Sequence, residues 1–144
     1  MIIWFTGQPG SGKTTLCEAL KKNWWFLKDK CVHIDGDDIR EIFSNKNYNF
    51  DGRVNNIKTA QNIARFLHNK GYRVLVSLVS PYKKLREELI GQGIYQVYCH
   101  TTETRGREHY FVENYEPPTK NFIDMDTTDK SVKECIDEIL DVCR

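Results

Sequence analysis

The feature that most constrains this chain is a glycine-rich segment between an apolar run and a helical pattern near its start. The segment matches G-x-x-x-x-G-K-[ST] at every fixed position and reads Gly7, Gln8, Pro9, Gly10, Ser11, Gly12, Lys13, Thr14. Glycines let successive backbone N–H groups point at phosphate oxygens, and the positive end of the following helix points to the same place. The segment therefore predicts a P-loop that binds a nucleoside triphosphate.

Each polar residue of this P-loop has an expected role. Lys13 should contact the β- and γ-phosphates of ATP, and the Thr14 hydroxyl should hold Mg²⁺. Thr15 continues the nucleotide-binding segment at the start of the helix. A chance glycine-rich turn is the alternative, but the strand before the motif and the helix after it favour a true P-loop.

Apolar runs alternate with helical patterns along the rest of the chain. The patterns predict strands at 2–5, 31–34, 72–79 and 95–99, and helices at 13–28, 37–44, 53–69, 81–90 and 129–143, the last capped by Thr128. Residues 44–52 and 101–121 show no clear period and are predicted to be loops. This alternation predicts an α/β, three-layer P-loop NTPase fold with a mostly parallel central sheet flanked by helices. Ligands of such sheets bind beyond the carboxyl ends of the strands.

Length and composition narrow the class of protein. The 144 residues predict a single domain, and a net charge of +1 gives no general basic field for nucleic acid. The five cysteines are odd in number and lack C-x-x-C spacing, which favours free thiols in a reducing cytoplasm. No run is long and apolar enough to span a membrane, and no signal peptide is expected.

A cluster of carboxylates follows the second predicted strand, at 35–40. Phosphoryl transfer needs a carboxylate that accepts the proton of the attacking hydroxyl, and cations that bind phosphate. We predict Asp37 as the general base, Asp35 as a water-mediated Mg²⁺ ligand and Arg40 as a phosphate-binding residue of the acceptor site. An N-terminal helix cap is the structural alternative for any single aspartate here, and it is preferred for Asp38.

At this point the chain resembles the adenylylsulfate kinase family. The resemblance is carried by four motifs in order, which lie at 7–15, 35–40, 51–57 and 80–82, although Gly52 separates Asp51 from Arg53 where that family has an Asp-Arg pair. It implies a P-loop kinase that transfers the γ-phosphoryl group of ATP to the 3′-hydroxyl of adenosine 5′-phosphosulfate. It also implies a homodimer.

The resemblance further implies an acceptor site. Arg40 and Arg53 would bind the phosphosulfate, Asn56 would form a hydrogen bond with the acceptor, and Val79 and Ser80 would contact it through their backbone. The aromatic ring of Phe50 would stack on one face of the adenine. Lys120, Asn121 and Phe122 are similar to a Lys-x-Phe segment whose phenylalanine covers the other face.

The predicted lid and base-binding loop, at about 101–124, departs from the family pattern. Residues 105–110 keep an arginine and a tyrosine but lose a Gly-Leu step. Arg105 is the predicted catalytic cation of this lid, and Arg107 is the other candidate. A changed lid leaves other acceptors open: a different nucleotide, a polynucleotide 5′-hydroxyl or a small alcohol. A non-catalytic nucleotide-binding regulator is a third hypothesis, which the intact acceptor-side carboxylates argue against.

Overall fold

A computed structural model describes residues 1–25 and 30–143 and contains one five-stranded sheet. The strands are β1 (Ile2–Thr6), β2 (Cys31–Asp35), β3 (Arg73–Ser77), β4 (Ile94–His100) and β5 (Ile123–Asp126). All pairs are parallel, in the order β2-β3-β1-β4-β5. The predicted α/β P-loop NTPase fold with a parallel sheet is confirmed.

Within the described residues, five α-helices connect or flank the strands. They are α1 (Lys13–Asn23), α2 (Gly36–Ile42), α3 (Phe50–Asn69), α4 (Lys83–Glu87) and α5 (Val132–Val142), and a short 3₁₀ turn covers Glu108–Tyr110. Within the described ranges, no helix combines the length and apolar character needed to cross a membrane.

The sheet is covered on both faces, which gives the three layers. Ile3 and Phe5 of β1 point into an apolar cluster shared with α1 and α5. Ile2 and Trp4 point the other way, into a cluster shared with α3. This alternation follows from the period of two along a strand. The core holds the carboxyl ends of β1, β2 and β3 in place, and the P-loop and acceptor segments follow directly from these ends.

Several predicted boundaries were wrong. The strand β5 lies after the region predicted to be a loop, and its four residues are too few for a periodic signal. Helix α3 begins at Phe50, inside the predicted loop, because the Asn49 side chain accepts a hydrogen bond from the Gly52 N–H and caps it. Helix α1 ends at Asn23, and positions 26–28 of the predicted helix lie outside the described residues.

The last helix is also capped differently from the prediction. Ser131, rather than Thr128, is its N-cap, and Ser131 and Glu134 form a reciprocal capping box. The Thr128 hydroxyl instead lies within hydrogen-bond distance of the Thr101 and Thr102 hydroxyls. Val132, predicted on the inner face, is exposed, while Ile136 and Ile139 are buried as expected.

Candidate active site

A cleft of about 980 Å³ opens at the carboxyl ends of the strands, between the P-loop, the α2–α3 region and the lid. Fourteen of the predicted site residues line it: Pro9, Gly10, Gly12, Lys13, Thr14, Thr15, Asp35, Asp37, Arg40, Arg53, Asn56, Val79, Ser80 and Arg105. The donor and acceptor residues predicted from separate motifs therefore share one cavity.

The shape of the P-loop depends on its glycines. Gly7, Gly10 and Gly12 have φ angles of 149°, 83° and 105°, a region that side chains rarely adopt. A Cβ at Gly7 would lie 2.2 Å from the backbone oxygen of Cys99. Glycine at this position is therefore required by β4, which lies directly behind the loop.

Lys13 is the buried cation of the P-loop. Its Nζ donates a 2.9 Å hydrogen bond to the backbone oxygen of Gln8, and the residue is only 8% exposed. Burial lowers the pKa of Lys13 to about 8, and the nearby positive charge of Arg107 acts in the same direction, although Asp35 opposes it. A bound triphosphate would supply the negative charge that favours the protonated form.

Thr14 and Asp35 form the candidate metal pair. The Thr14 Oγ1 donates to Asp35 Oδ2 at 3.1 Å, while Asp35 Oδ1 accepts the Asp37 backbone N–H at 3.1 Å. Asp35 is thus the N-cap of α2, the role that the sequence assigned preferentially to Asp38. No cluster of three or more His, Cys, Asp or Glu suited to a metal occurs among the described residues. The pair nevertheless fits Mg²⁺, because that ion is commonly held by one or two carboxylates together with substrate phosphates.

Asp37 and Arg40 project from successive turns of α2. Asp37 is solvent-exposed at the cleft wall. Arg40 Nη1 donates to the backbone oxygens of Asn45 and Asn47 at 3.2 and 2.9 Å. Its guanidinium carbon lies 3.9 Å from the centroid of the Tyr48 ring, a cation–π geometry. Tyr48, which also lines the cleft, was missed because nothing in the loop sequence indicates that it would meet Arg40.

Asn56 and Arg53 face the cleft from α3. Asn56 is 6% exposed, and its Oδ1 receives no hydrogen bond from any described residue. A buried amide oxygen without a donor is costly, so a ligand donor at this position would stabilise the site. Arg53 is half-buried and also lines the cleft.

The β3–α4 segment lines the cleft with Val79, Ser80 and Pro81. Ser80 has a φ of 46°, and its Oγ accepts a 3.0 Å hydrogen bond from Trp4 Nε1. The Val79 oxygen accepts the Thr6 hydroxyl at 2.7 Å. Ser80 does not cap α4, since Tyr82 is the N-cap residue. The Ser80 side chain and the Val79 and Ser80 carbonyl oxygens are thus all hydrogen-bonded inside the protein, and the predicted backbone contact with an acceptor stays a prediction.

The two lid arginines differ in their surroundings. The Arg105 guanidinium donates to the Gly10 oxygen at 3.0 Å, to the Thr127 hydroxyl at 3.0 Å and to the Glu103 carboxylate at 2.7 Å. The exposed Arg107 lies over the Tyr110 ring at 5.5 Å and lines the same cleft. Arg105 is therefore placed as a clamp on the P-loop, which leaves Arg107 better placed to meet a transferring phosphoryl group.

The predicted base-stacking residues lie apart from the cleft. Phe50 is 62% exposed and its ring meets the Tyr82 ring at 4.9 Å. Phe122 lies edge-on to Tyr98 at 6.3 Å, and Lys120 lines a second, smaller pocket. The predicted pair of rings around an adenine is not assembled in this structure, because β5 directs the segment before it toward β4.

Comparisons with known proteins show the family and the fold of this chain. A family model described as adenylylsulphate kinase matches residues 1–119. The adenylyl-sulfate kinase of Oceanobacillus iheyensis is 28% identical, over 96% of this chain and 81% of its own. The cytidine diphosphoramidate kinase of Campylobacter jejuni is 33% identical, over 67% of this chain and 58% of its own. The Mycobacterium tuberculosis APS kinase, solved in complex with AMPPNP and APS, has the same fold, with a TM-score of 0.78 at 23% identity over 97% of this chain and 95% of its own.

Proposed function

This chain belongs to the adenylylsulphate kinase family, and we propose that it transfers the γ-phosphoryl group of ATP to the 3′-hydroxyl of adenosine 5′-phosphosulfate. The products are ADP and 3′-phosphoadenosine 5′-phosphosulfate. One observation carries the proposal: Lys13 of the P-loop and Asp37, Arg40 and Asn56 of the acceptor segments line one cleft. A kinase of this class needs donor and acceptor groups within the same cavity.

In this proposal the chain's own residues position both substrates. Lys13 and the P-loop N–H groups hold the β- and γ-phosphates. Asp37 accepts the proton of the acceptor's 3′-hydroxyl. The oxygen of that hydroxyl forms a bond to the γ-phosphorus while the bond between the γ-phosphorus and ADP breaks. Thr14 and Asp35 would hold Mg²⁺, which, when bound, neutralises charge on the phosphate oxygens.

The acceptor's charged group is bound by cations in this proposal. Arg40 and Arg53 pair with the phosphosulfate, Asn56 Oδ1 accepts a hydrogen bond from the acceptor, and the Val79–Ser80 backbone lies against it. Guanidinium groups suit this role because their planar donors match phosphate-like oxygens. Arg107 supplies the lid cation at the transferring group, and Arg105 keeps the P-loop in place beside it.

A second acceptor is favoured by two specific observations. The relative that is a cytidine diphosphoramidate kinase shares 33% identity over 101 residues. Phe50 and Phe122, the predicted partners of an adenine, do not line the cleft. A nucleoside diphosphate derivative with a different base would use the same Asp37 and Arg40 chemistry. It is the alternative substrate against which the proposal is tested.

Three further points belong to the same proposal. Residues 1–144 act as one kinase domain, and the enzyme works in the cytoplasm. The five cysteines, all within the described residues, are free and buried, as suits a reducing compartment. The active form is a homodimer; the hexameric APS kinase from Thiobacillus denitrificans, of whose chain this one covers 27%, has the same fold.

The proposal is tested by identifying products. The protein is incubated with ATP, Mg²⁺ and, separately, adenosine 5′-phosphosulfate, a cytidine diphosphate derivative, a 5′-hydroxyl oligonucleotide and buffer alone. Mass spectrometry should show one added phosphoryl group on adenosine 5′-phosphosulfate. Phosphorylation of the cytidine compound alone would replace the proposed acceptor, and tight ATP binding with no product from any acceptor would indicate a non-catalytic regulator.

A further inference from the structure

Gln8 occupies a variable position of the P-loop, and its side chain pairs with the lid. Its Nε2 donates a 2.9 Å hydrogen bond to the Val112 backbone oxygen. Its Oε1 accepts a 2.8 Å hydrogen bond from the Val112 N–H. The amide therefore satisfies both backbone groups of one lid residue, in the way that a neighbouring peptide unit would.

The backbone of the same residue contacts the phosphate-binding lysine. The Gln8 oxygen accepts hydrogen bonds from Lys13 Nζ at 2.9 Å and from the Ser11 N–H at 3.2 Å. Gln8 thus joins Lys13 on one side to Val112 on the other. A displacement of the lid at Val112 would therefore shift Gln8, whose backbone oxygen contacts Lys13.

Val112 lies between two other attachments of the lid. Arg105 holds one end to the Gly10 oxygen. Tyr115 holds the other, through a 2.6 Å hydrogen bond between its hydroxyl and that of Thr6. Within the part of the chain that the structure describes, the two hydrogen bonds between Val112 and Gln8 connect residues 106–114 to the protein outside the lid.

Lid residues close to Val112 in the chain line the cleft. Arg107, His109, Tyr110 and Phe111 all line it, and each of these four is exposed on its other side. Such a segment, with little buried surface of its own, needs a specific anchor to stay closed. Closed lids exclude water and supply cations to the transferring group.

We propose that Gln8 is a positioning residue that holds the middle of the lid closed over the triphosphate through the Val112 backbone. The inference deepens the proposed kinase function and rests on it for the catalytic readout only. Gln8 keeps Arg107 at the cleft and limits the access of water to the γ-phosphoryl group. A carboxylate at the same place cannot do so, because it has no donor for the Val112 oxygen.

The test uses two variants of nearly unchanged size and a matched control. Gln8→Met removes both hydrogen bonds, and Gln8→Glu sets a charged acceptor against the Val112 oxygen. Asn62→Asp makes the same change from amide to carboxylate at an exposed position of α3. Hydrogen exchange measured by mass spectrometry, with a non-hydrolysable ATP analogue bound, should show exchange about tenfold faster in 106–114 in both Gln8 variants, the effect expected from losing such bonds. The rest of the chain and the control should match the wild type.

A second readout separates closure of the lid from a merely structural role. Two rates are compared: the rate of ATP hydrolysis without acceptor and the rate of phosphoryl transfer with acceptor. The ratio of the first to the second should rise about tenfold in both Gln8 variants, because an open lid lets water reach the γ-phosphoryl group. Exchange in 106–114 that stays at the wild-type rate in both variants would overturn the proposal. Faster exchange spread evenly over the whole chain would also overturn it, since Gln8 would then stabilise the fold and not the lid. The exchange result needs no acceptor, so it stands whether or not adenosine 5′-phosphosulfate is the substrate.

Discussion

The Thr14 hydroxyl donates a 3.1 Å hydrogen bond to one oxygen of Asp35, whose other oxygen caps helix α2 at the Asp37 N–H. A single carboxylate therefore joins the P-loop to the helix that carries the candidate base. This link connects the donor side of the cleft to the acceptor side, since one bond starts from helix α1 and the other from helix α2. Any substitution at Asp35 must be designed to separate its capping role from its charge.

Asp35→Asn makes that separation. Asparagine caps helices about as well as aspartate, so the free energy of unfolding should change little. The lost charge should weaken the apparent affinity for Mg²⁺, so that the half-saturating Mg²⁺ concentration rises by about 10–100-fold, as for other groups that support a metal. A magnesium titration of the initial rate measures this, with thermal unfolding as the control. An unchanged half-saturating Mg²⁺ concentration would remove Asp35 from the metal site.

Asp37→Ala should separate catalysis from nucleotide binding. Loss of a general base typically lowers the rate by about 10²–10⁴-fold, while the P-loop contacts to ATP remain. Steady-state rates and calorimetric ATP binding provide the two measurements. Asp38→Ala is the matched control, because Asp38 is an exposed neighbour that does not line the cleft. Equal losses of rate in both variants would contradict the assignment of Asp37.

The buried Lys13 predicts a pH dependence of ATP binding. Burial lowers its pKa to about 8, so the free protein loses this charge as the pH rises through that value. A bound triphosphate favours the charged form and raises the pKa, so binding near about pH 8.5 should take up a proton and affinity should fall at higher pH. Calorimetry in buffers of different ionisation enthalpy measures the uptake. At about pH 6.5, where Lys13 is already charged, the Lys13 contribution to proton uptake should disappear; the same uptake at both pH values would refute this origin.

Arg86 predicts a stability effect that extends to the acceptor site. It is 2% exposed, donates hydrogen bonds to the backbone oxygens of Ser80 and Glu116, and lies over the Tyr115 ring at 5.5 Å. Arg86→Met removes the Arg86 donor from the Glu116 oxygen and leaves the Ser80 oxygen with only the 3.3 Å hydrogen bond from the Thr6 hydroxyl, which should lower the free energy of unfolding by about 2–5 kcal/mol. The KM for the acceptor should rise, because the Ser80 backbone loses its support.

Chemical denaturation and acceptor kinetics test the Arg86 prediction together. Lys84→Met, at an exposed position of the same helix α4, makes the same kind of change from a cation to methionine and should leave both quantities near those of the wild type. A stability of Arg86→Met within about 0.5 kcal/mol of the wild type, the range of ordinary surface substitutions, would show that the buried hydrogen bonds contribute little.

The parts of the site that follow from local pattern could be read from the sequence. The P-loop and Asp35 each follow a strand end with its own signal, and the topology then brings them together, whereas Asn56 was implied only by the family resemblance. Gln8 and Tyr115 could not be predicted in the same way. Their partners, Val112 and Thr6, lie more than 100 positions away in the chain, and a side chain that pairs with a distant backbone leaves no periodic trace.

Strand β5 and Phe122 illustrate the same limit. Four residues at Ile123–Asp126 pair with β4, and this pairing directs the preceding Phe122 toward Tyr98 instead of the cleft. The family resemblance implied a base contact for Phe122 because resemblance transfers residue identities and spacing. It does not transfer the path of a changed lid, which depends on tertiary contacts such as Arg105 with Gly10.

The identity of the acceptor is tested by comparing kcat/KM for adenosine 5′-phosphosulfate and for cytidine diphosphoramidate at saturating ATP and Mg²⁺, with NMR identifying the phosphorylated hydroxyl. We predict that adenosine 5′-phosphosulfate is preferred by at least about tenfold, a difference of about 1.4 kcal/mol in transition-state stabilisation. The phosphoryl group should lie on its 3′-oxygen. A preference for the cytidine compound, or phosphorylation at any other position, would contradict the account.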